Sequence, residues 1–123
     1  MLWTLWIAVG AFQGALGVMM GAFGGHALRD TLSVRHLDVY EVAVRYQMYH
    51  AFALIAVGLL ATRIESWQLK AAGISFFAGS VLFSGSLYLL TLAGLKWLGA
   101  VTPVGGLGLI AGWLFLAAAA ISL

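Results

Sequence analysis

Four long apolar stretches make up most of the chain, and charged residues mark where each one stops. Met1 to Gly25 carries no charge, Val42 to Thr62 carries Arg45 in its first turn, and Ala71 to Leu95 and Trp97 to Leu123 carry none. About 20 consecutive apolar residues let a helix cross a bilayer. Each stretch therefore predicts a spanning helix, over about 3–25, 42–62, 71–94 and 103–123. Connections this short favour an antiparallel up-and-down order. The segment between the first two spans has its own pattern. At 100° per residue Leu28, Leu32, Val39 and Val42 share a face, while Arg29, Asp30, His36, Asp38 and Glu41 fall mostly elsewhere. This predicts a short interfacial helix over about 28–41, with Arg35 interrupting its apolar face. The expected fold is an all-α integral membrane protein: a four-helix antiparallel transmembrane bundle with that interfacial helix between the first and second spans, in a single domain over residues 1–123.

Composition sharpens this picture. Of 123 residues only ten are charged, or 8%, and 63% are hydrophobic; a typical soluble domain is roughly 25% charged. Mean hydropathy is +1.05. Ten charges cannot dress the surface of a soluble domain of this size, which excludes an ordinary soluble enzyme, a disordered tail and a nucleic-acid binder. The net charge of +2 rests on too few groups to imply a nucleic-acid partner. There is no cysteine, so disulfides, thiolate metal sites and cysteine nucleophiles are excluded together. The first apolar run lacks the basic segment of a signal peptide and is too long for one, so it reads as a retained helix.

Local signals refine the ends. Thr102-Pro103 reads as a helix start, with threonine as cap and proline at the first helical position, and Trp97 to Thr102 as a lead-in. Trp3, Trp6, Trp67 and Trp97 lie near helix ends, as an aromatic belt requires; Trp113 lies deeper. Arg29, Arg35, Arg45 and Lys96 fall on one side and Arg63 and Lys70 on the other, so the positive-inside rule places both termini outside by a margin of one or two charges.

Two features are candidates for more than spanning. In the first helix Gly10, Gly14, Gly17, Gly21 and Gly25 recur at spacings of four, three, four and four, giving a face without side chains that admits a neighbouring helix. Packing alone accounts for it better than a ligand groove does. The second feature is polar. His26, Arg45, Tyr46, Gln47, His50, Ser84, Ser86 and Thr102 all fall toward the side of the first and third connections, about 5–15 Å deep at 1.5 Å per residue. The other leaflet is bland, with Gln13 and Ser75 as its few polar members. Arg45 is the costliest intruder, and Glu41 one turn earlier is placed to pair with it. Hydrogen-bond glue between helices is the better reading for Gln47, Ser84 and Ser86. For His50 glue and proton carriage are nearly balanced.

The segments GAFGGHAL (21–28), YEVAVRYQMYHAFAL (40–54), LFSGSLYLL (82–90) and WLGAVTPVGGLGLIAGW (97–113) resemble the signature of the family called domain of unknown function 423, which takes in YgdD-like and transmembrane-protein-256-like members. The resemblance covers essentially the whole chain, departing at Gly25, where many members carry alanine. It implies a multi-pass protein of the plasma membrane (the bacterial inner membrane) and supplies no activity, cofactor or catalytic residue.

Three function classes remain in view. A non-enzymatic bundle that packs membrane lipids, a second copy of itself or another membrane protein needs only the glycine face, the amphipathic connection and the hydrogen-bonding glue residues. An oligomeric transporter or channel for a proton, ion or small solute would run through Arg45, Tyr46 and His50, but meets the bland leaflet. Redox or hydrolytic chemistry is the weakest. His26 and His50 would have to ligate a haem, Ser84 and His50 lack an intramembrane carboxylate to complete a triad, and a metal site lacks a third ligand. The sequence therefore predicts no enzyme, no cofactor and no metal.

Overall fold

The computed structural model describes residues 2–123; Met1, the first residue of the first apolar run, lies outside the described residues. Four α-helices follow in order: α1 Leu2–His26, α2 Val34–Leu60, α3 Trp67–Ala93 and α4 Thr102–Ile121, with a short 3-10 helix at Lys96–Ala100 before α4. All four are long and apolar enough to cross a membrane.

The ends follow from local chemistry. The Ser33 hydroxyl accepts from the His36 N–H at 3.1 Å and starts α2, and Ser66 accepts from the Leu69 N–H at 3.0 Å and starts α3. Gly94 closes α3 at φ 70°, the left-handed conformation that glycine adopts without strain. Pro103 stands in the first turn of α4. Thr102 does not act as its cap: no side chain caps this helix, and the Thr102 hydroxyl donates back to the Leu98 carbonyl at 3.2 Å.

The structure departs from the expected interfacial helix. Val34 to Glu41 are not a separate element but the first turns of α2, which begins eight residues before Val42 and runs unbroken for 27 residues. Ser33 is the capping residue, and no glycine or proline interrupts the chain between it and the span. At 1.5 Å per residue α2 is about 40 Å long, against about 30 Å of hydrocarbon. Its charged N-terminal turns therefore extend into the headgroup region along the helix axis.

Close approach at glycine sets the antiparallel pairing. A Cβ added at Gly10 would meet the Ala51 carbonyl and the Ile55 side chain at 2.8 Å, one at Gly58 would meet the Trp3 carbonyl at 2.8 Å, and one at Gly24 would strike the Tyr40 ring. Ascending numbers on α1 thus oppose descending numbers on α2. The seam uses Gly10, Gly14, Gly17, Gly21 and Gly24; Gly25, which a spacing of four selects, has nothing within 4 Å. The true spacing alternates four and three. That seven-residue repeat keeps one stripe facing a left-handed partner, whereas successive fours drift off it. A second seam joins α3 to α4, where Gly79 meets Leu109 and Gly105, and Gly105 lies on the backbone of Leu82 and Phe83.

The other contacts cross between these two hairpins. Trp6 of α1 covers Gly73 of α3, and Trp113 of α4 reaches His50 of α2. Trp6, Leu54, Val57, Leu69, Ala72, Phe76 and Ala119 form the apolar core, drawn from all four helices. Since lipid is as apolar as this core, close van der Waals packing is what holds it.

Candidate functional site

Polar side chains inside a bilayer need partners because no water is there to supply them. The eight residues expected to form one cluster are divided among several neighbourhoods. The most extensive of these centres on Gln47. Its amide Nε2 donates to the Gln13 carbonyl at 2.9 Å, while Gln13 Nε2 donates to the Gln47 carbonyl at 3.0 Å. Gln13 Nε2 also donates to Ser80 Oγ at 3.1 Å, and the Tyr88 hydroxyl donates to Gln47 Oε1 at 2.5 Å. This chain of bonds ties α1, α2 and α3 together. Backbone carbonyls only accept, so they fix which end of each amide is nitrogen. One turn earlier in α2, Ser84 Oγ donates to the Ala43 carbonyl at 2.7 Å.

Gln13 was expected to be an isolated polar residue of the bland leaflet; instead it is a hub. It is the twelfth residue of the 25 in α1, so its partner Gln47 also lies near mid-membrane. The expected depth was too shallow for Gln47 because α2 runs over Val34–Leu60, which puts its midpoint at residue 47 and not near 52, a shift of about 7.5 Å along the axis.

His50 is 4% exposed and occupies a second neighbourhood. Its Nδ1 bonds the Tyr46 carbonyl at 2.6 Å, and the Trp113 indole N–H donates to its Nε2 at 3.1 Å. A carbonyl partner on one side and an N–H partner on the other define the neutral tautomer with the proton on Nδ1. Both ring nitrogens are occupied, leaving no lone pair for a haem or a metal. The bond also explains why Trp113, itself half exposed, stands away from the helix ends. Tyr46 stacks on Phe83 with ring centroids 4.7 Å apart. Ser86 and Thr102 share a 2.6 Å hydrogen bond that joins α3 to α4.

Arg45 and His26 stand apart. His26 is exposed in the last turn of α1. Arg45 and Glu41 line a small recess of about 260 Å³ beside Gly21, Gly24 and Gly25, but the expected ion pair between them does not form among the described residues. Both side chains are exposed on the flank of α2 and meet the surroundings instead of each other.

Sequence reasoning missed a cavity. Between α1 and α3 runs a groove of about 720 Å³ whose walls include Ala8, Phe12, Leu16, Phe77, Val81 and Gly85 and whose floor carries Gln13, Gln47, Ser80, Ser84 and Tyr88. Phe12 is 68% and Val81 55% exposed, so the rim faces lipid. Neither wall has a polar pattern, and only the pairing of the helices brings them together. Another cavity of about 820 Å³ lies at the opposite membrane face, lined by Trp3, Trp6, Trp67 and the α2–α3 connection.

Four apolar helices, joined internally by polar bonds, define a multi-pass membrane protein. Its place within that class follows from comparison. Residues 20–106 match the family model described as Protein of unknown function (DUF423), and the chain belongs to that family. It is 47% identical over 112 residues to a UPF0382 membrane protein of Staphylococcus haemolyticus, covering 91% of each chain. It is 41% identical over 118 residues to the UPF0382 membrane protein YwdK of Bacillus subtilis, covering 95% of this chain and 96% of that one. No solved structure matches.

Proposed function

We propose that the protein is a non-enzymatic, lipid-binding bundle of the plasma membrane, and that the groove between α1 and α3 is where a membrane lipid lies. The observation that carries this reading is a cavity of about 720 Å³, within the range of about 300–1,000 Å³ for small-molecule sites, that opens sideways into the hydrocarbon. Apolar walls suit an acyl or isoprenoid chain, and the glycine seams seal the remaining faces. Transport through His50 fares worse on this geometry, because Tyr46 and Trp113 occupy both of its nitrogens.

Gly85 supplies the test. It lines the groove, and a Cβ there meets nothing within 4 Å. Gly85→Leu is expected to fill the space without disturbing the fold. Native mass spectrometry of detergent-purified protein should show lipid adducts on the wild type, reduced about tenfold in the variant, at an unchanged thermal midpoint. Equal adducts on both proteins would refute the groove as the lipid site.

The charge distribution supports an orientation with both termini outside. The chain has no cysteine, so a single Leu123→Cys reporter has no background. A membrane-impermeant maleimide is expected to label it on intact cells; labelling only after permeabilisation would reverse the orientation.

A further inference from the structure

The floor of the groove carries more than apolar packing requires. Gln13 is only 9% exposed, and both of its hydrogen bonds leave from Nε2. Its Oε1 accepts nothing from the described residues. Since no fully buried polar side-chain atom among them lacks a partner, that oxygen is not fully buried, and it belongs to a residue that lines the groove. Next to it, Ser80 Oγ accepts from Gln13, while its own proton has no acceptor among the described residues. Gln13 and Ser80 both line the groove and both lie near the middle of their helices. An unused acceptor and an unused donor thus stand side by side near mid-bilayer, where leaving polar groups unsatisfied is costly.

We infer that the groove selects an uncharged, lipid-soluble molecule bearing a hydroxyl group, which donates to Gln13 Oε1 and accepts from the Ser80 hydroxyl. A hydroxyl is the smallest group that does both. An ester carbonyl or ether oxygen accepts from Ser80 but leaves Gln13 unanswered. A charged headgroup is excluded by depth. The inference rests on the groove being a lipid site and adds which chemistry it recognises. Two sources carry that chemistry, a long-chain or isoprenoid alcohol and a lipid-soluble quinol, and the binding is reversible with no bond made or broken.

The experiment compares matched ligands on the intact protein in detergent micelles. A long-chain primary alcohol, its methyl ether, a short-chain quinol and the quinol's dimethyl ether are each titrated and scored by native mass spectrometry. At least one hydroxyl compound is expected to bind about tenfold more tightly than its ether, and which of the two does so identifies the source. Ser80→Ala, a small change that leaves the Gln13–Gln47 pair in place, is expected to weaken the alcohol and its ether alike and keep their ratio, whereas Gln13→Leu, which removes the acceptor, is expected to bring the two within about twofold of each other. Equal binding of hydroxyl compound and ether to the wild type would overturn the inference while leaving the groove a lipid site. Discrimination that survives in Gln13→Leu would overturn the assigned acceptor and with it the inference. If no compound binds and Gly85→Leu also fails to change lipid retention, the underlying reading fails too.

Discussion

Gly105→Ala is expected to destabilise the protein by about 3 kcal/mol, the upper part of the range for overpacking a close-packed site. A Cβ at this position would lie 2.8 Å from the Leu82 carbonyl carbon and the Phe83 Cα. These are backbone atoms of a neighbouring helix, and no rotamer change moves them aside. The added methyl has to push α4 away from α3, and the displacement loosens Gly79 against Leu109 along the same seam. Gly25→Ala is the matched control, since nothing lies within 4 Å of its Cβ. Thermal unfolding in detergent, followed by loss of the monodisperse peak in gel filtration, should show a midpoint about 10 °C lower for Gly105→Ala. Gly25→Ala should stay close to the wild type. Equal falls in both variants would mean that glycine matters here for helix flexibility and not for approach.

The second large effect belongs to Gln47. Replacing it with leucine keeps the volume roughly the same but removes the acceptor of the Tyr88 hydroxyl and the donor to the Gln13 carbonyl. Interhelical hydrogen bonds in membranes average about 0.6 kcal/mol and reach about 1.7. Two lost bonds plus a stranded phenol near Tyr40 predict a cost of about 2 kcal/mol, with Tyr40 and Tyr88 rings 5.4 Å apart losing their register. The double variant Gln47→Leu with Gln13→Leu is expected to cost about the sum of the singles, because each amide donates to the other residue's backbone carbonyl and the two substitutions remove different bonds. A cost well below the sum would show that the two amides depend on each other beyond these bonds.

Much of the architecture was legible in the sequence. Runs of about 20 uncharged residues have one economical solution in a bilayer, and charges at their ends fix the connections. The start of α2 was not legible from hydropathy, because Arg35, Asp38 and Glu41 look like a break when they are only the part of the helix that leaves the hydrocarbon. Ser33 was the available signal, as a capping residue directly ahead of an uninterrupted helical stretch. The same shift hid the polar hub. Gln13 looked incidental because its partner Gln47 was assigned to a shallower level. A lone amide in the middle of an otherwise uncharged span had to find a donor or acceptor on another helix, and that requirement could have pointed to it. The groove itself is a property of packing. Phe12 and Val81 are ordinary lipid-facing residues until α1 and α3 are set side by side.

The placement of the glycines has a mechanical consequence. Both seams lie within hairpins, α1 against α2 and α3 against α4, where backbones touch and nothing intervenes. Between the hairpins the contacts are side chains: an indole over Gly73, an amide to Ser80, an indole to His50. The molecule is thus two stiff paddles joined by a softer hinge line, and the groove straddles that line. Rocking one paddle against the other alters the width of the groove while leaving each seam intact. The bonds from Gln13 to Ser80, Tyr88 to Gln47 and Ser84 to the Ala43 carbonyl all cross that line and resist its opening together.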